Sequence, residues 1–137
     1  MKPKHALLWT GQALLALFFA YAGVVKLTQS PAALDQMGWH WALDVPPGLI
    51  VFIGVAEMLG AIGIILPMAL RILPRLSTWA AIGMVVLQLA AVGMHLARGE
   101  FSMLWLNVMI TLLAGAVAIA LLKKFGAAIR LSGLLPR

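Results

Sequence analysis

The chain has no cysteine. That excludes a disulfide framework, a thiolate metal site, a c-type haem attachment and a dithiol redox centre. Any redox role must then come from a bound cofactor or a partner protein. Charge is nearly as scarce: 10% of the 137 residues are Asp, Glu, Lys or Arg, while 64% are hydrophobic. A soluble domain of this length does not have that balance. Metal ligands are few, and only His95, His40 and Glu57 are placed to supply them, so no metal centre is expected. His5 falls at the opposite side of the bundle, which leaves a bis-histidine haem short of a ligand. No Ser–His–Asp spacing, phosphate loop or nucleic-acid signature is present.

What the chain does have is apolar length. Four blocks, approximately 6–25, 48–70, 77–96 and 101–122, each run to about 20 residues, enough for one bilayer crossing. The expected fold is all-α: a polytopic membrane protein with four transmembrane helices in an up-down bundle, occupying 1–137 as a single membrane domain, with a basic tail over 123–137. The first block has some features of a signal peptide, with Lys2 and Lys4 ahead of it and Ala20-Tyr21-Ala22 as a small-x-small site. It is long for such a segment and contains Thr10 and Gln12, so it reads as a retained helix.

The net charge of +6 is distributed by side rather than by face. Lys2, Lys4, Arg71, Arg75, Lys123, Lys124, Arg130 and Arg137 fall on one side of a four-span arrangement. Lys26 and Arg98 fall on the other, with Asp35, Asp44 and Glu100. The positive-inside rule places both termini and the 71–76 turn in the cytoplasm, in a multi-pass protein of the cell (inner) membrane. The cations serve as anchors beside anionic lipid and not as a nucleic-acid surface.

Spacing within the blocks predicts which faces meet. Gln12, Ala16, Phe19, Gly23 and Lys26 fall on one stripe of the first helix, with Lys26 pointing into the bundle. Ser30-Pro31 reads as an N-cap and first helical residue, starting a short outer-face helix stopped near Gly38. Trp39 and Trp41 suit the outer interface, and His40 between them reads as an exposed loop residue. In the second helix Ala56, Gly60, Gly63 and Pro67 form a small-residue stripe. Ser77 is expected to cap the third helix, where Gln88 and His95, seven residues apart, share a face. Asn107, Thr111, Ala114 and Ala118 share a stripe of the fourth. The tail KKFGAAIRLSGLLPR has the alternation of a segment lying on the inner leaflet.

Glu57 carries the functional expectation. It lies inside Gly48–Leu70, a run of about 23 residues with no other charge, roughly 13 Å down the helix. An ionised group at that depth costs at least ~2.5–3.5 kcal/mol, so it must find a partner or water. Lys26, Arg98 and protonated His95 are the available cations. With Tyr21 and Asn107 they occupy the outer half; Gln88 lies below them and Gln12 deeper still, while the inner half is almost purely apolar. This asymmetry predicts a polar cluster of Lys26, Glu57, His95, Asn107, Arg98, Gln88 and Tyr21, opening outward above a hydrophobic plug. The cluster is either a site for a ligand with a polar head and apolar tail or a network that fixes helix register.

FFAYAGVVKL, IGVAEMLGAIGIILP, and HLARGE followed by Asn107 resemble the corresponding stretches of the DoxX-like membrane protein family, over nearly the whole chain. The resemblance implies a four-helix membrane bundle with Lys26, Glu57, His95 and Asn107 at the positions of its polar motif. It also implies a quinone as the cofactor to consider. The family is named for a small subunit of a thiosulfate–quinone oxidoreductase, and other members are linked to membrane redox complexes or to assembly of partner proteins. On this basis the expected role is a binding or accessory subunit without catalytic activity of its own. It would hold a quinone or lipid in the outer-half pocket and serve a membrane redox or envelope-stress partner. A scaffold for another membrane protein, using the small-residue stripes, and a small proton-coupled transporter, working as a homodimer, are the alternatives. The expected partners are the lipid bilayer and another membrane protein, with no nucleic acid.

Overall fold

A computed structural model describes residues 2–132, with side chains placed over 2–126. It is all-helical among the described residues, with four helices long and apolar enough to cross a membrane. The long helices are α1 (Pro3–Thr28), α3 (Pro47–Ala69), α4 (Arg75–Arg98) and α5 (Phe101–Ser132). Between the first two lie α2 (Pro31–Gln36) and a 3₁₀ turn (His40–Leu43). Around the bundle α1 packs on α3, α3 on α4 and α4 on α5, and α5 closes back on α1. The short α3–α4 and α4–α5 connections force antiparallel neighbours there, and the longer α1–α3 segment completes the up-down order. Both ends of the described chain therefore lie at one end of the bundle, called here the terminal end. Arg130 and Arg137, and most of the amphipathic tail expected over 123–137, lie outside the described side chains.

The apolar pattern is that of a protein solvated by lipid. Leu7, Leu17, Phe52, Leu59, Val86 and Leu112 all face outward, which only a hydrocarbon surrounding makes favourable. Trp79 and Trp105 stand exposed toward opposite ends, where indoles suit the headgroup layers. Inside, Leu15, Phe19, Ile64, Met84, Ala114 and Leu121 form a closed core.

The small-residue positions resolve into contacts within the chain. A Cβ on Gly23 would lie 2.9 Å from the Gly54 carbonyl oxygen, so α1 and α3 meet almost backbone to backbone. Gly60 faces Met84, and a Cβ on Gly63 would come 3.1 Å from that of Ala80. Ala114 and Ala118 are buried in the core. These small positions pack against the chain's own helices, because close packing is what holds helices together in lipid.

The first stripe of α1 behaves as its spacing requires: Gln12, Phe19, Gly23 and Lys26 are all buried. Ser30 caps α2, its Oγ accepting from Ala33 N–H at 3.2 Å. Two local expectations fail. Ser77 does not cap a helix, because α4 starts earlier, at Arg75 after Pro74, and Ser77 lies buried within it. Trp41 does not sit in an interface but is 6% exposed, packed with Leu34, Ala42 and Ile50. The 21-residue gap at 27–47 is thus a folded cap with its own small core, which the run of polar and turn-forming residues does not announce.

Candidate functional site

The polar residues gathered at the end opposite the termini divide into two groups. The inner group is an ion pair across α1 and α3. Lys26 Nζ donates to both oxygens of Glu57, each at 2.9 Å, and both side chains are nearly buried. The Gly23–Gly54 crossing lies one turn away on each helix and brings the backbones close enough for this pair to form. The cap completes it: the Lys26 ammonium stands over the Trp39 ring, 4.6 Å from the centroid. One cation is held by a carboxylate on one side and an aromatic face on another.

Gln88 belongs to the same layer. Gly60 and Met84 touch where α3 and α4 cross. The two helices run in opposite directions. Glu57 is three residues from Gly60 and Gln88 four from Met84, so both rise toward the polar end by about 4.5–6 Å. Gln88 is 5% exposed, and its Nε2 has no hydrogen-bond partner. A buried amide donor left unmade costs about 1–3 kcal/mol.

The outer group ties the cap to the α4–α5 corner. Arg98 donates through Nη1 to Asp44 at 2.6 Å and through Nε to Glu100 at 2.7 Å. His95 Nδ1 pairs with the other Glu100 oxygen at 2.7 Å. Gly99, with φ 68°, makes this possible: it ends α4 in the left-handed region, and Glu100 N–H returns to the His95 carbonyl. That turn swings the Glu100 side chain back over His95. Desolvation pushes the Glu100 carboxyl up, but hydrogen bonds from Arg98 and then His95 outweigh it and hold the group below the usual carboxylate range. With Nδ1 donating to Glu100, His95 Nε2 is left to accept, or to donate when the ring is protonated.

Of the seven residues expected together, Lys26, Glu57 and Gln88 occupy the inner layer, and His95 and Arg98 the outer one. Among the described residues Lys26 is the cation that contacts Glu57, while Arg98 and His95 pair with Asp44 and Glu100. Asn107 stays with its own helix: its Nδ2 donates to the Met103 carbonyl at 2.9 Å, and Thr111 Oγ1 bonds the Asn107 carbonyl. Tyr21 is 60% exposed on the outside of α1, because it falls two residues short of the Gly23 stripe and so on the lipid face. Sequence reasoning missed Trp39, Asp44 and Glu100 as members. Glu100 was legible in the His95-x-x-x-Gly99-Glu100 spacing, which a left-handed turn folds back. Asp44 and Trp39 depend on how the cap folds, for which no periodic signal exists.

The inner half also differs from the expected plug. Gln12 is fully buried there, its Nε2 donating to the Ile64 carbonyl at 2.6 Å. Ser77 and Thr78 are buried nearby along α4, and Gln12 Oε1, Ser77 Oγ and Thr78 Oγ1 all lack partners. The helix spacing that hides them is the same that hides Ala81 and Met84.

A family model, that of the DoxX-like family, matches residues 10–132 of the chain. No curated protein and no solved structure matches it.

Proposed function

The chain belongs to the DoxX-like family, and from that premise we propose that it is a small membrane binding subunit holding the polar head of an amphipathic molecule, a quinone or a lipid, beside the Lys26–Glu57 pair. The observation that carries the reading is the unpartnered amide of Gln88, buried in the layer of that pair. It is a hydrogen-bond donor suited to a quinone or ester carbonyl. Lys26 and Glu57 supply the local field, and His95 offers a further ring nitrogen from the layer above. The apolar tail of such a molecule would leave between helices into the bilayer. The chain contributes binding and orientation, and a membrane redox or envelope-stress partner contributes the chemistry. Six cations at the terminal end, Lys2, Lys4, Arg71, Arg75, Lys123 and Lys124, support placing both termini in the cytoplasm of a cell whose inner membrane holds the bundle.

Native mass spectrometry of protein extracted gently from its own membrane tests this reading. Wild-type protein is expected to retain a small amphipathic molecule that Gln88→Leu loses while the bundle stays folded. Retention unchanged by Gln88→Leu contradicts it.

A second reading has its own observation. Both Glu57 oxygens are bonded and the Lys26 ammonium is covered by Trp39, which is what a register lock between α1, α3 and the cap requires. Under that reading no small molecule co-purifies, and Glu57→Gln lowers stability without changing any partner. Orientation is tested separately. The chain is naturally free of thiols, so single cysteines at Lys4 and Glu100 should label from opposite sides of the membrane.

A further inference from the structure

A second site lies at the other end of the bundle. Arg75, Thr78, Trp79 and Ile82 of α4 and Leu122, Phe125 and Gly126 of α5 enclose a half-open groove of about 100 Å³. Its lining is mostly apolar and includes two exposed residues, Arg75 and Trp79. Thr78 lines it at 7% exposure, and its hydroxyl is one of the buried polar atoms without a partner.

We propose that this α4–α5 groove binds one anionic glycerophospholipid of the bilayer, its phosphate against Arg75 and the start of α4, and one acyl chain along Ile82, Leu122 and Phe125. Charge complementarity selects the occupant. All four acidic residues, Asp35, Asp44, Glu57 and Glu100, lie toward the opposite end of the bundle or in the cap, so no carboxylate competes for Arg75. Lys123, next to Leu122 on α5, and Arg71, on the turn before α4, add to a field of one sign. The first turn of α4, a 24-residue helix, directs its positive dipole end toward the same headgroup level. The vertical order of the groove is that of a phospholipid: a cation at the level of the phosphate, an indole at the interface, a hydroxyl able to donate to a glycerol ester carbonyl, and hydrocarbon below. A free phosphate would use only the first of these, and a neutral lipid only the last.

The test is full-length protein reconstituted in vesicles of equimolar phosphatidylglycerol and phosphatidylcholine, extracted mildly and weighed by native mass spectrometry. Wild-type protein should retain phosphatidylglycerol over phosphatidylcholine. Arg75→Gln should lower that preference about fivefold, the effect of one basic contact at an anionic surface. Ile82→Trp fills the groove and leaves the charge intact, and should displace the lipid. Lys123→Gln, which removes a cation outside the lining, should leave the preference unchanged. Equal losses for Arg75→Gln and Lys123→Gln overturn the site in favour of a diffuse basic collar, and equal retention of both lipids overturns the charge selection. Should Ile82→Trp fail to assemble, Thr78→Val serves instead, with weakened retention of phosphatidylglycerol expected and unchanged retention counting against the proposal. Because the polar end is untouched, retention of a quinone or lipid there is read in the same spectra by its separate response to Gln88→Leu.

Discussion

The two charged groups at the polar end use the same chemistry in different surroundings. Lys26 and Glu57 are nearly enclosed, each the other's only ionic partner in the described chain, and the lysine is covered by an indole. Asp44, Arg98, Glu100 and His95 form a chain of partners, with Asp44 and Arg98 reaching the surface. In the first group the desolvation of two charges is offset mainly by their mutual contact, so losing either partner leaves the other stranded. In the second, water and several neighbours share the load, so each contact matters less. The same distances, 2.6–2.9 Å throughout, therefore stand for different energies. Geometry alone does not rank ion pairs, and burial does.

The largest expected effect comes from stranding the buried lysine. Glu57→Ala should destabilise the bundle by about 3–5 kcal/mol, seen as a lower unfolding temperature in detergent. A smaller loss, comparable to the outer network's, would erase the difference between the two groups. Next is the helix crossing that permits the inner pair. Gly23→Ala places a Cβ 2.9 Å from the Gly54 carbonyl oxygen. Driving the backbones apart should cost about 1–3 kcal/mol, while Gly83→Ala, where a Cβ meets nothing within 4 Å, should cost nothing measurable. Thermal unfolding of the two variants side by side checks this.

The outer network should give less. Arg98→Met is expected to lower the unfolding temperature less than Glu57→Ala or Gly23→Ala, and the loss should shrink as salt is added; an effect independent of salt would mean the network is as enclosed as the inner pair. The smallest effect is the pH dependence of the cap. The folded-state pKa of Glu100 is depressed, so its contribution is full above the ordinary carboxylate pKa. It is lost as pH falls through the lower folded value. Wild-type unfolding temperature should therefore fall on acidification more steeply than that of Glu100→Gln; parallel curves would show that Glu100 contributes nothing to the cap.

Much of this contrast is written in the sequence and part of it is not. Lys26 could be aimed at the bundle from its spacing to Gly23 and Gln12, and Glu57 could be marked by its depth, because helical periodicity and the cost of charge in hydrocarbon are both one-dimensional. The choice among Lys26, Arg98 and His95 as the partner of Glu57 was not readable, since it depends on how close α1 and α3 approach and on a turn at Gly99. Tyr21 shows the limit of depth alone: it has the right height and the wrong face. Trp41 and Ser77 show that local preferences for interfaces and caps yield to packing when the neighbouring apolar residues, Leu34 and Ile50 or Ala81 and Met84, recruit the same segment inward. The buried polar atoms of the terminal half were hidden for a related reason, because single hydroxyls on an apolar helix carry no periodic signal.

The claim that Lys26 and Glu57 act as one buried unit is tested most directly by a double-mutant cycle, with Lys26→Met, Glu57→Leu and the pair combined, read as unfolding free energy in one detergent. The double variant should be more stable than either single variant, so the coupling should exceed the larger single loss, about 3 kcal/mol or more. Losses that simply add would contradict the account and leave two independent charges where a pair is claimed.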